Sequence, residues 1–152
     1  RYEAFIRTNP QWPGISSLRR RAEARLWQER RDGATVRKFI GEQPAGTVGR
    51  LALARVLLSE GDRAAAEREV RAVWRTAELS EGFEESVLKS FDNILTRSDH
   101  LARMDRRIGE KDFSGAMRAA RRAGGEAVAI VKACSAAFAK AGNARKLLDD
   151  DQ

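Results

Sequence analysis

The 152-residue sequence predicts an all-α fold, a helical solenoid of about ten short helices. Three observations carry that expectation. Apolar residues recur at three- and four-residue spacing along nearly the whole chain, and the alternation of a half-buried strand is almost missing. Only three prolines are present, so long stretches have no breaker. An Asp or Asn stands at a helix start at Asp32, Asp62, Asp112 and Asn143, with Gly33, Gly61 and Gly142 beside three of them. Such side chains accept from the free N–H groups of a first turn. Their offsets are 30, 50 and 31 residues, and a period near 30 marks stacked helix pairs.

Taken in order, Tyr2 to Thr8 reads as a short helix ended by Asn9-Pro10-Gln11-Trp12-Pro13-Gly14. Leu18, Ala22 and Leu26 then form one stripe, so Ser17 to Arg31 reads as an amphipathic helix with its arginines outward. Thr35 to Ile40 is a short helix, followed by a Gly/Pro loop from Gly41 to Gly49. Leu51 to Leu58 is the next helix, closed by Gly61, and Ala64 to Arg75 carries Ala66, Val70, Val73 and Trp74 on one side. Ser80 to Leu95 reads as an extra helix, which explains the longer offset of 50. Leu101, Met104 and Ile108 face one way in the helix after it. Ala116–Ala123, Glu126–Ala141 and Asn143–Leu148 complete the set, before an acidic end at Asp149-Asp150-Asp151.

Composition excludes several classes of chemistry. One cysteine and one histidine leave no disulfide framework, Cys-rich zinc module or His-based metal cluster, and no cofactor is expected. No apolar run is long enough for a transmembrane segment. The net charge of +7 is uneven: residues 1–75 hold 16 Lys/Arg against 9 Asp/Glu, and residues 76–152 hold 13 of each. Arg19, Arg20, Arg21, Arg25, Arg30 and Arg31 are its densest part, a surface suited to nucleic acid, an anionic membrane surface or an acidic polymer. The opposing reading is a solvated helix face diluted by Glu23 and Glu29.

No motif brings catalytic groups together. Cys134, in register with Ile130, Val131 and Phe138, reads as a small buried hydrophobe. His100 reads as a partly buried structural residue, next to a Thr96–Asp99 capping box. Gly46-Thr47-Val48-Gly49 has the Gly-x-x-Gly form of some nucleic-acid clamps, but without their strands it reads as a loop before a helix. Trp27 and Trp74 read as packing between helices, while Trp12, beside prolines, is the tryptophan expected to be exposed.

Further runs stand out: Asn9-Pro10-Gln11-Trp12-Pro13, Leu18-Arg19-Arg20-Arg21-Ala22-Glu23, Gly49-Arg50-Leu51-Ala52-Leu53-Ala54-Arg55 with Gly61-Asp62, Val70-Arg71 with Trp74-Arg75 and Leu79-Ser80, and Leu95-Thr96-Arg97-Ser98-Asp99-His100 with Arg103-Met104-Asp105. Together they resemble the helical region of soluble lytic murein transglycosylases. The resemblance implies a right-handed, tetratricopeptide-like α-superhelix and a periplasmic address. It also implies that 1–152 is one segment of a larger enzyme, whose separate lysozyme-like domain cleaves glycan strands. The Glu-Ser pair of that family has a counterpart in Glu85-Ser86, but no Gly-Leu-Met-Gln follows, so no catalytic residue is carried over. The expected function is non-catalytic positioning of peptidoglycan or of the parent's own catalytic domain, with Arg19, Arg20, Arg21 and Trp12 as polymer-binding candidates. A protein–protein interaction scaffold is the alternative. A nucleic-acid-binding repeat ranks third, and no nucleic-acid partner is expected.

Overall fold

The computed structural model describes residues 14–42, 46–91 and 93–150. Among them are eight helices and no strand: α1 (Ile15–Gln28), α2 (Gly33–Glu42), α3 (Thr47–Ser59), α4 (Arg63–Thr76), α5 (Glu81–Phe91), α6 (Arg97–Gly109), α7 (Phe113–Ala123) and α8 (Gly125–Asp150). Eight replaces the expected ten for two reasons. The Tyr2–Thr8 helix lies outside the described residues, and the last two helices are one. Asn143 is therefore not a cap but an exposed position inside α8. Ala144, Arg145, Lys146, Leu147 and Leu148 are strong helix formers and carry the helix through Gly142 and Asn143. The extra helix ends at Phe91 and not at Leu95; Ile94 and Leu95 are buried beyond its end.

The other three caps are as expected. Asp32 accepts from the Thr35 N–H at 3.2 Å, Asp62 from Ala65 at 3.3 Å and Asp112 from Gly115 at 3.0 Å. The helices before them end alike. At the α3–α4 turn the Gly61 N–H bonds to Leu58 O and the Asp62 N–H to Leu57 O; at the α6–α7 turn Lys111 and Asp112 bond likewise to Ile108 and Arg107. These paired bonds close a helix through one left-handed residue. That residue is Arg30, Gly61 or Lys111, with φ of 49°, 88° and 63°.

Helix starts stand 48 residues apart for α1/α4 and α2/α5 and 50 apart for α3/α6. The 30-residue offset from Asp32 to Asp62 joins two turns of similar local chemistry.

The chain forms two compact units: residues up to Val73 with Gly82–Ile94, and Trp74–Glu81 with Leu95 onward. In the first, α1 and α2 pack on α3, burying Leu26, Trp27, Val36, Phe39 and Leu51. Each such side chain contributes about 1.5–3 kcal/mol of apolar transfer. In the second, α7 lies against α6 and α8 and presents Ala116, Ala119, Ala120 and Ala123 to Met104, Ala127 and Val131. Small residues on one face of α7 let its neighbours approach closely, so its contribution is close packing more than area.

The buried stripe of α8 stops at Val131. Cys134 is half-buried and its neighbours Ile130 and Phe138 are 49 % and 51 % exposed, which corrects the expectation of a core thiol on an inward face. The physical reason is length: α7 spans 11 residues and α8 spans 26, so much of α8 extends past its packing partner.

Candidate functional site

Trp27 and Trp74 close α1 and end the buried face of α4, and each is met by an arginine from a later helix. Arg55 of α3 donates to Trp27 O at 2.6 Å with its guanidinium carbon 4.1 Å from the ring centre. Arg103 of α6 donates to Trp74 O at 2.8 Å and lies 4.7 Å from that ring. A guanidinium suits this double task, since its edge carries the donors and its face stacks. It also places positive charge at the carbonyl end of a helix, where the backbone dipole favours it. The two arginines sit in a repeated Leu-Ala-Arg, Leu53-Ala54-Arg55 and Leu101-Ala102-Arg103, 48 residues apart, and the tryptophans are 47 apart. That spacing was the signal in the sequence.

The packing expectation for both tryptophans holds. Trp27 donates through Nε1 to Ser86 Oγ at 3.1 Å and its ring rests against Phe83 and Phe91. Ser86 is thus engaged in packing, and Glu85 is exposed on the same helix. Trp74 is fully buried, edge-on to His100 with ring centres 5.7 Å apart. Burial, followed by repulsion from Arg122, holds the His100 imidazole below its ordinary pKa. The Thr96–Asp99 capping box is present, and Asp99 also receives Arg75 at 2.8 Å. Burial works against the Asp99 carboxylate, but the Thr96 N–H and the Arg75 guanidinium outweigh it and hold the group below the usual range.

Gly46-Thr47-Val48-Gly49 is the start of α3, and a buried carboxylate occupies it. Glu23 of α1 accepts from the Gly46 N–H at 2.8 Å and the Gly49 N–H at 2.9 Å. A Cβ on Gly49 would stand 2.7 Å from the Glu23 carboxyl carbon, so both the charge and the glycines are needed for the approach. The protein's own acid therefore fills a helix N-terminus that otherwise suits an anion. Glu23, read from the sequence as diluting a basic surface, is instead buried.

The polymer-binding candidates do not share one environment. Arg20 and Arg21 are exposed, Arg19 is half-buried, and Trp12 lies outside the described residues. A more concentrated cationic site lies at the α1–α2 turn. There Arg30, Arg31, Arg55, Asp32, Val56 and Ser59 line an open cavity of about 270 Å³. Arg55 uses Nη2 on the Leu26 and Trp27 carbonyls, and its side chain has no carboxylate partner among the described residues. Burial and then the charge of Arg30 depress its pKa. Arg31 reaches Glu29 at 3.4 Å, Asp32 is held by Thr35, and the nearby Glu60 pairs with Arg37. The Arg30 side chain has no hydrogen-bond or ion-pair partner among the described residues.

A second cavity, of about 420 Å³, lies between α7 and α8, with Phe113, Met117 and Val131 beside Arg118, Arg121 and Ser135. Among the described residues no group of His, Cys, Asp and Glu is placed to hold a metal ion, and no helix is long and apolar enough to cross a membrane. Fold and site define an all-α protein, among the described residues, with a cationic turn. Compared with protein families, curated proteins and solved structures, the chain finds no match.

Proposed function

We propose that this chain is the non-catalytic helical-repeat region of a periplasmic lytic transglycosylase and that it positions peptidoglycan for a lysozyme-like domain elsewhere in the parent protein. The observation that carries the reading is the surplus of guanidinium groups in the first half, exposed at Arg20 and Arg21 and gathered at Arg30, Arg31 and Arg55. Peptidoglycan offers carboxylates along a flexible strand, and several weak, screened contacts would hold it. The sequence resemblance to the helical region of those enzymes supplies the polymer's identity, and a solenoid of stacked repeats would supply an extended wall.

The test is co-sedimentation with purified sacculi across a salt series, for the chain and for an Arg19, Arg20 and Arg21 triple change to Gln. The expected result is weak binding that fades toward 1 M salt, where screening length falls to about 3 Å, and that weakens in the variant. No anhydromuropeptide is released. Binding indifferent to both salt and variant, or tighter salt-sensitive binding to RNA, would overturn the reading. The scaffold alternative is favoured by one feature, the exposed Ile130, Phe138, Leu147 and Leu148 of α8.

A further inference from the structure

The three turns that end α1, α3 and α6 through a left-handed residue differ in what occupies that position. Gly61 bears the conformation without penalty, and Lys111 places its ammonium 5.5 Å from the Phe138 ring. Arg30 has no comparable compensation: a bulky residue at φ 49° with no side-chain partner among the described residues. Its side chain and the half-buried Arg55 face one cavity, whose one carboxylate, Asp32, accepts from the Thr35 N–H and hydroxyl. The Ser59 hydroxyl is also committed, donating to Val56 O at 2.7 Å. Three guanidinium groups, Arg30, Arg31 and Arg55, therefore line a cavity that holds one carboxylate, Asp32, and leave it with a surplus of positive charge.

We propose that the α1–α2 cavity is a binding site for a single carboxylate, gripped by Arg30 and Arg55, with Val56 beside the ligand's uncharged body. The proposal rests on the peptidoglycan reading for the source of the carboxylate, a muramic acid or a peptide terminus, and on the cavity alone for its chemistry. Arg30 can present two parallel N–H donors to the two oxygens, and Arg55, whose Nη2 is held by the Leu26 and Trp27 carbonyls, can add a donor from Nε or Nη1. A bound anion would offset the repulsion that, after burial, Arg30 exerts on Arg55.

The experiment is NMR of the arginine side-chain N–H groups during titration with N-acetylmuramic acid, D-alanyl-D-alanine, N-acetylglucosamine and inorganic phosphate. The two carboxylates should shift the Arg55 Nε–H saturably, the stronger one naming the source, and N-acetylglucosamine should not. Arg30→Gly should weaken the carboxylate about threefold to fivefold, a contact of up to about 1 kcal/mol. Glycine suits the left-handed position, so this variant stays folded and its loss is not one of structure. Arg21→Gln should change nothing at this site. Equal shifts with N-acetylglucosamine, tighter binding of phosphate, or a response unchanged in Arg30→Gly would overturn the proposal. Sacculus binding without an Arg55 response would sink the carboxylate site alone. An Arg55 response without sacculus binding would sink the peptidoglycan reading and leave the site standing.

Discussion

The guanidinium of Arg103 covers the ring of Trp74 at 4.7 Å and donates to the carbonyl oxygen of that same residue at 2.8 Å. A second bond, to Ala77 O at 2.8 Å, fastens the chain just beyond α4. Arg55 and Trp27 repeat the arrangement 48 and 47 residues earlier. The two copies differ in depth, with Arg103 1 % exposed and Arg55 only half-buried.

That difference sets the first prediction. Arg103→Met leaves two carbonyl groups without their donor and should destabilise the protein by about 3 kcal/mol. Arg103→Lys keeps the charge but not the planar fork, and should cost about 1–2 kcal/mol. Arg55→Lys should cost less, because water can reach the freed carbonyls. Urea unfolding of the three variants measures the order. An Arg103→Met protein as stable as the parent would show that the arginine is incidental to the fold.

The Glu23 carboxylate and the start of α3 make a second case, one of coupling. Glu23→Ala removes the acceptor of two backbone N–H groups, one of them buried, and should cost about 2–3 kcal/mol. Gly49→Ala alone should cost a similar amount, since its methyl group would enter the carboxylate's place. Together the two changes should cost much less than their sum, because each removes what the other disturbs. Additive losses would mean that Glu23 and Gly49 do not share one interaction.

His100 gives the pH dependence. Its pKa is lowered in the folded protein, first by burial and then by Arg122, with Asp99 opposing and Arg103 adding to the effect. The unfolded chain therefore binds a proton more readily than the native one. Stability from the neutral imidazole is complete above the unfolded pKa, near 6.5, and declines as pH falls below it. Melting temperature should drop between pH 7 and pH 5, and His100→Phe should flatten that drop while preserving the contact with Trp74. A protein that melts identically across this range, with or without the imidazole, would remove His100 as its cause.

The helices were legible because their apolar stripes repeat, and three of the four capping residues were legible because Asp at a helix start has one main use. Asn143 misled because a cap signal competes with its surroundings, and good helix formers on its C-terminal side win. Ile130 and Phe138 misled differently: periodicity tells which residues share a face but not whether a neighbour is long enough to cover it. Glu23 was hidden for a third reason. Its partners are backbone N–H groups 23 and 26 residues away, and backbone has no letter in a sequence. The pairing of arginine and tryptophan left a trace, the doubled Leu-Ala-Arg, legible only once a 48-residue period is sought.

Residues 136–149 of α8 are exposed at every position, so side-chain burial does little to hold that stretch in its helix. Helices of about 12–15 residues are marginal in water on their own ladder of backbone bonds. Opening this stretch therefore has a free energy well below that of global unfolding. Brief trypsin treatment should cut first after Lys140, Arg145 and Lys146. Arg103 and Arg107, each 2 % exposed or less, should resist until the whole unit opens, leaving a trimmed core that still melts cooperatively.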